Sequence, residues 1–198
     1  MKKINLMQVV PSLQSGGVEQ GTIDVANYLA ETEIKNYIAS GGGQMLSYLS
    51  KRYVKHYTIP VYSKNFLKMP IVAKKINSII KENNIKIVYH LAALSDVRLS
   101  INDPIQCYNV NQFASIAILD ACVDAGIKKL IFASTSAVYG SPIYQPVDEK
   151  HPVDPISPYG LSKLAFEQYA KYKSDGDMEI IVFRLPNVYG PRQRPDLE

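Results

Sequence analysis

Tyr159 and Lys163 stand four positions apart, so a helix sets a phenol and an ammonium on one face, a turn from each other. A cation beside a phenol favours phenolate, which predicts a Tyr159 pKa lowered from about 10 toward neutrality. A phenolate at the rim of a nucleotide site can take the proton of a sugar hydroxyl. Upstream, Phe132-Ala133-Ser134-Thr135-Ser136 ends a predicted strand in hydroxyls that can hold the sugar oxygen during the transfer. Oxidising the carbon beneath that oxygen calls for a nicotinamide, because side chains do not accept hydride.

The spacing alone is weak. With 14 tyrosines and 17 lysines in 198 residues, about one Tyr-x-x-x-Lys match arises by chance. Tyr169 and Lys173 form a second one, read as helix surface. Context separates the two: Tyr159 follows Ser157-Pro158 at a helix start, downstream of the hydroxyl-rich strand end, whereas Tyr169 lies in mid-helix. Other candidates carry plainer readings. His90 at a strand end reads as a core residue more readily than as a catalyst. Ser134 and Ser136 can serve as backbone caps. Asp148-Glu149 lies in a Pro-rich loop and reads as solvated. Tyr139, Tyr144 and Tyr189 read as packing residues.

These residues need elements to position them. Short β-branched runs alternate with amphipathic stretches, which predicts an α/β fold, a Rossmann-like doubly wound parallel sheet of about six strands in three α/β/α layers. Strands are expected over 4–10, 37–40, 56–60, 87–91, 129–134 and 179–184, and helices over 17–31, 44–52, 70–83, 105–125 and 158–173. In such a sheet, ligands sit outside the carboxyl ends of the strands, where the hydroxyls and Tyr159 fall.

Composition narrows the classes. The chain is 46% hydrophobic and 20% charged with a net charge of +4 and scattered basic residues, an ordinary globular balance without a nucleic-acid stripe. No run nears the ~18 apolar residues of a membrane span. Lys2-Lys3 precedes an apolar run that Asn5, Gln8 and Pro11 interrupt too early for a targeting segment. Cys107 and Cys122 lie about four turns apart in one predicted helix, out of reach of each other and of any metal-type cluster. They read as core thiols of a cytoplasmic protein, and no metal site is expected.

His90 to Arg98 (HLAALSDVR), Val110-Asn111, Phe132 to Gly140 (FASTSAVYG), Ser157 to Lys163 (SPYGLSK) and Arg184 to Gln193 (RLPNVYGPRQ) occur in one order. Together they resemble the extended short-chain dehydrogenase/reductases, in the UDP-glucose 4-epimerase and NAD-dependent epimerase/dehydratase branch. Ala114-Ser115 stands where Gly-Thr is usual. The resemblance implies that Thr135 holds the sugar oxygen, that Tyr159 is the catalytic acid–base, and that Lys163 lowers its pKa and binds the nicotinamide ribose. It further implies cofactor contacts from Ala92, Ala93 and Asn111, substrate contacts from Ser136 and Asn187, and UDP-hexose as substrate. Ser136-Ala137 stands where dehydratases carry Asp-Glu, which favours epimerisation. A homodimer through helices 105–125 and 158–173 is implied as well, with Val110, Ile118, Leu119, Phe166 and Tyr169 as candidate face residues; the alternative is that these pack on the sheet.

The first half departs from that pattern. Residues 1–22 lack Gly-x-x-Gly-x-x-Gly, and the second strand runs into Ala39-Ser40-Gly41-Gly42-Gly43 with no acidic residue for an adenosine ribose. Gly16-Gly17-Val18-Glu19, Thr22 to Ala26 and Ile38 to Gly42 resemble instead the N-terminal domain of retaining GT-B glycosyltransferases. Gly16 and Gly17 remain the positions available for a cofactor pyrophosphate. The chain therefore reads as one compact unit of two parts: a glycosyltransferase-like half-sheet over 1–87 and an epimerase/dehydratase-like catalytic half over 88–198, joined near 86–90. The family's substrate lobe, which follows Arg192 to Pro195, is expected to be absent. The resulting expectation is an NAD-dependent nucleotide-sugar epimerase-like protein of weak or no activity as it stands. The alternatives are a glycosyltransferase fragment and a non-catalytic fused fold.

Overall fold

The computed structural model describes residues 4–32, 34–63, 66–174 and 176–188. Six parallel strands form one sheet: β1 (Asn5–Val9), β2 (Lys35–Ser40), β3 (Val54–Thr58), β4 (Ile87–His90), β5 (Lys129–Thr135) and β6 (Glu179–Leu185), in the spatial order β3-β2-β1-β4-β5-β6. The chain leaves β1 in both directions across the sheet, the wound order that opens a crevice over the carboxyl ends near β1 and β4. The register carries straight across: Val9 pairs with Ala39 and His90, His90 with Phe132, and Phe132 with Val182.

Helices cover both faces. α1 (Gly17–Glu31) packs Ile23 and Ala26 against Val10 and Ile38 on one side. The other side carries α2 (Met69–Glu82), α5 (Ala114–Asp124) and α6 (Pro158–Lys173), whose apolar faces share the larger core with Met7, Val88, Leu130 and Phe132. The Phe132 and Phe166 ring centroids, 4.0 Å apart, pin α6 onto β5. Among the described residues, no helix is long and apolar enough to cross a membrane.

Three elements differ from expectation. The stretch expected as a helix over 44–52 makes only a 3₁₀ turn, Gln44–Tyr48, because Gly42 and Gly43 enter it at positive φ and Leu49 leaves it extended. The run expected over 105–125 is a broken helix: α4 (Pro104–Tyr108), a π-helical turn (Asn109–Phe113), then α5. An additional short helix, α3 (Val97–Asn102), follows β4 and starts where the Asp96 carboxylate accepts the Leu99 N–H at 3.0 Å.

The candidate dimer-face residues need correction. Val110, Ile118, Leu119 and Phe166 are at most 2% exposed and belong to the chain's own interior. α5 and α6 turn those apolar sides onto the sheet, which leaves them unavailable to a partner. The Tyr169 hydroxyl donates to Asp120 across the α5–α6 seam, so it too serves an internal contact.

Candidate active site

Thr135 is the last residue of β5, and its hydroxyl accepts the Ala137 N–H at 3.1 Å, capping a 3₁₀ turn over Ser136–Tyr139. That turn meets the start of α6. Ser157 caps the helix by accepting the Gly160 N–H at 3.1 Å, and Pro158 sets its first turn. Gly160 lies so close to the turn that a Cβ there would sit 2.6 Å from the Ala137 carbonyl oxygen. This close approach sets the Tyr159 phenol on the side of the Thr135 hydroxyl, whose influence favours its ionised form. Ser100 of α3 supports Tyr159 from behind, accepting its backbone N–H at 3.2 Å, while Ser162 donates to the Tyr159 carbonyl at 2.7 Å.

Lys163 is 2% exposed. Its ammonium donates to the Ala133 carbonyl at 2.8 Å and lies 4.5 Å from the Phe132 ring centroid. Burial lowers its pKa to about 7, against the opposing pull of Cys107 and Glu167. Tyr159 corrects an expectation. Its pKa is raised by burial, a shift that the nearby Thr135 hydroxyl only partly offsets. The reason is geometric: Lys163 points down to a strand carbonyl rather than stabilising phenolate. In this state the site holds a neutral phenol over a lysine poised between charge states.

A buried cluster lies beneath. Glu167, one turn after Lys163, takes a hydrogen bond from the Ser134 hydroxyl and a two-nitrogen contact from Arg184 at 3.1 and 2.8 Å. Arg184 also lies 4.9 Å from the Tyr139 ring centroid. The cluster ties β5, β6 and α6 together under the catalytic group. The i, i+4, i+8 series Tyr159–Lys163–Glu167 marked Glu167 in the sequence, and that signal went unread.

The remaining candidates separate. Asn111 is fully buried and fully engaged: it accepts the Leu94 N–H at 2.7 Å and donates to the Leu94 carbonyl at 3.0 Å and to Ser162 at 3.2 Å. It therefore shapes the loop holding Ala92 (buried) and Ala93 (half-buried) and spends its polar atoms there, not on a cofactor. The π turn re-aims it inward. His90 is buried, with Nε2 2.8 Å from the Ser115 hydroxyl and Nδ1 without a partner. Burial lowers its pKa to about 3, so it is a neutral core residue. Ser136 is exposed on the turn, and Asn187 is exposed beyond β6. Asp148 and Glu149 are exposed, and Asp148 accepts the Tyr144 hydroxyl at 2.7 Å. Tyr139 is buried, Tyr144 partly exposed, and Tyr189 lies outside the described residues.

A dinucleotide on this sheet order would place its nicotinamide end over β4 to β6 and its pyrophosphate at the N-terminus of α1. Lys163, Tyr159 and the Ala92-Ala93 backbone suit the first end. The other end does not fit. Gly16 caps α1, but the Glu19 carboxylate is folded back onto it and fills the space a Cβ would take, so a negative group already stands there. Gly17, the other expected pyrophosphate contact, opens the same helix.

A wound sheet with a Thr–Tyr–Lys group at its carboxyl edge defines the short-chain dehydrogenase/reductase architecture. The chain belongs to the NAD dependent epimerase/dehydratase family, whose model matches residues 41–198. It is 41% identical over 132 residues to a putative UDP-glucose 4-epimerase of Methanocaldococcus jannaschii, a match covering 66% of this chain and 43% of that protein. The UDP-glucose 4-epimerase of Mycolicibacterium smegmatis is 35% identical over 132 residues, covering 66% and 42%. The chain thus spans less than half the length of these relatives. Among solved structures, the Thermotoga maritima UDP-glucose 4-epimerase with UDP-glucose superposes at TM-score 0.77 and 25% identity, over 97% of this chain and 58% of that one. The Thermus thermophilus UDP-glucose 4-epimerase complex with NAD matches at 0.77 and 26%, over 97% and 58%.

Proposed function

We propose that the chain carries the acid–base half of a UDP-hexose 4-epimerase. The observation that supports this most directly is the close packing of the start of α6, with Tyr159, on the turn that Thr135 caps at the end of β5, above a buried Lys163. Thr135 holds the sugar hydroxyl oxygen and Tyr159 takes, then returns, its proton. Loss of Lys163's hold on the Ala133 carbonyl would free its ammonium to approach the phenol and favour phenolate. NAD, when bound, supplies reversible hydride acceptance in this family. Ser136 and Asn187, both exposed near strand ends, are the residues to meet the nucleotide sugar. The unfitted pyrophosphate end supports weak or absent turnover by this chain, since loss of positioning alone forfeits orders of magnitude in rate.

The division into 1–87 and 88–198 is part of the proposal. It is supported by the Gly16-Gly17-Val18-Glu19 loop, while the family match, which runs from residue 41, takes in the second half of the first part as well. The alternative reading, glycosyl transfer, would instead show as release of nucleoside diphosphate from a sugar donor. A cytoplasmic location and a homodimer through the outer faces of helices 105–125 and 158–173, where Phe113 of the π turn and Leu161 of α6 are exposed, complete the reading.

The test is nicotinamide binding and UDP-glucose/UDP-galactose interconversion in the full chain and two variants. Tyr159→Phe should keep binding and lose any interconversion that the full chain shows. Lys163→Met, an uncharged replacement of similar length, should lose both while remaining folded by circular dichroism. Equal loss of binding in Tyr159→Phe would make Tyr159 structural and sink the assignment.

A further inference from the structure

The carboxyl ends of β1 and β2 are closed onto each other. The Pro11 carbonyl accepts the Gly41 N–H at 3.0 Å, the Leu13 N–H donates to the Gly42 carbonyl at 2.9 Å, and the Met45 N–H donates to the Leu13 carbonyl at 2.9 Å. A side chain at Gly43 would overlap the Leu13 carbonyl, so the two loops are at contact distance along this seam. Leu13 is fully buried, packed with Val10, Ile23, Ala26, Ile38 and Met45. It fills the place between the first two strands where a wound sheet receives adenosine.

Polar groups along the seam are also committed. Glycine loops bind phosphate through free backbone N–H groups. Here Leu13, Gly41 and Met45 spend theirs on carbonyls, and Gly42 donates to the Ser40 hydroxyl at 3.0 Å. Ser40, at the end of β2, stands where a carboxylate would take the ribose hydroxyls; it is fully buried and 2.7 Å from the His56 ring. The Glu19 carboxylate lies on Gly16 at the start of α1 and repels a pyrophosphate. At the opposite end Tyr159 remains half-exposed, above a buried Lys163.

We infer that this chain has no seat for the adenylate half of a dinucleotide and recognises its cofactor through the nicotinamide ribotide end alone, so that nicotinamide mononucleotide binds as well as NAD. The nicotinamide end of this inference rests on the reading of Tyr159 and Lys163 proposed above; the closed seam does not.

Labelling the glycines of the full chain with ¹⁵N reports both ends in one sample. Gly16, Gly17 and Gly41–Gly43 lie at the seam, and Gly160 adjoins Tyr159. ADP added to about 5 mM should move none of the seam amides, and NMN and NAD should shift Gly160 with dissociation constants within about threefold of each other. Saturable ADP shifts at the seam, or NAD binding about tenfold or more tighter than NMN, would overturn the inference. A Gly160 silent to both nucleotides would overturn the ligand assignment together with the proposed function, leaving only the closed seam.

Discussion

Two Tyr-x-x-x-Lys pairs lie on the same helix, and their surroundings give them different work. Tyr169 and Lys173 converge on Asp120, at 2.9 and 3.1 Å, in a partly exposed cluster that joins α6 to α5. Tyr159 and Lys163 face a strand end, where one lies on the side of a threonine hydroxyl and the other donates to a backbone carbonyl. Tyr169→Phe should therefore cost about 1 kcal/mol of stability, measured by urea unfolding, and leave nicotinamide binding unchanged. His90 supplies a pH prediction. Its folded pKa near 3 lies below the ordinary 6.5, so on acidification the unfolded chain takes up a proton that the native one refuses. The contribution is intact above pH 6.5 and is lost as pH falls toward 3. Between pH 7 and 4.5 this group should account for about 2–3 kcal/mol of lost stability. Urea titrations of His90→Gln should show a correspondingly flatter pH dependence.

At the scale of elements, the site depends on how closely α6 approaches the turn after β5. Gly160→Ala inserts a Cβ 2.6 Å from the Ala137 carbonyl and 3.0 Å from the Pro155 Cβ. Backbone must move, at a cost of about 1–3 kcal/mol, and Tyr159 should shift away from Thr135. Thermal melting and NMN binding read the two effects separately. Beneath the site, Glu167 joins α6 to Ser134 on β5 and Arg184 on β6. Arg184→Met strands a buried carboxylate and should cost about 3 kcal/mol, whereas the double variant Glu167→Met/Arg184→Met should regain most of it. A double variant as unstable as the single one would show that Arg184 acts through its stacking on Tyr139 instead.

For the whole molecule, β4 is the strand on which both parts depend. It pairs with β1 through Leu6–Val9 and with β5 through Lys129–Phe132, and Val88 at its centre is fully buried. The larger core draws on both parts, with α2 packed against α5. Unfolding should accordingly be a single transition, with far-ultraviolet dichroism and tyrosine fluorescence giving coincident curves. A fragment of residues 88–198 loses β1 beside β4 and α2 beside α5, and should show no cooperative melt. Independent folding of that fragment would mean that the two parts are separate domains sharing a sheet only incidentally.

The strand order and the wound sheet were legible from residue types and spacing, because apolar periodicity and caps are local signals, whereas the Thr135–Tyr159–Lys163 group was marked by its resemblance to family motifs and not by spacing. Element ends fell within a few residues for the same reason. Other features required atoms that are distant in sequence. Asn111 reads as a cofactor contact until Leu94 and Ser162 are seen to consume its amide. The apolar sides of α5 and α6 could face a partner or the sheet, and only packing chose the sheet. The Tyr159 pKa depends on where the Lys163 ammonium points, which helical spacing does not specify. The unusual glycines after β1 and β2 showed that a dinucleotide loop was missing. That Leu13 closes onto Gly42 and Gly43 was decided by tertiary contacts between segments about thirty residues apart, whereas the return of Glu19 onto Gly16 is local.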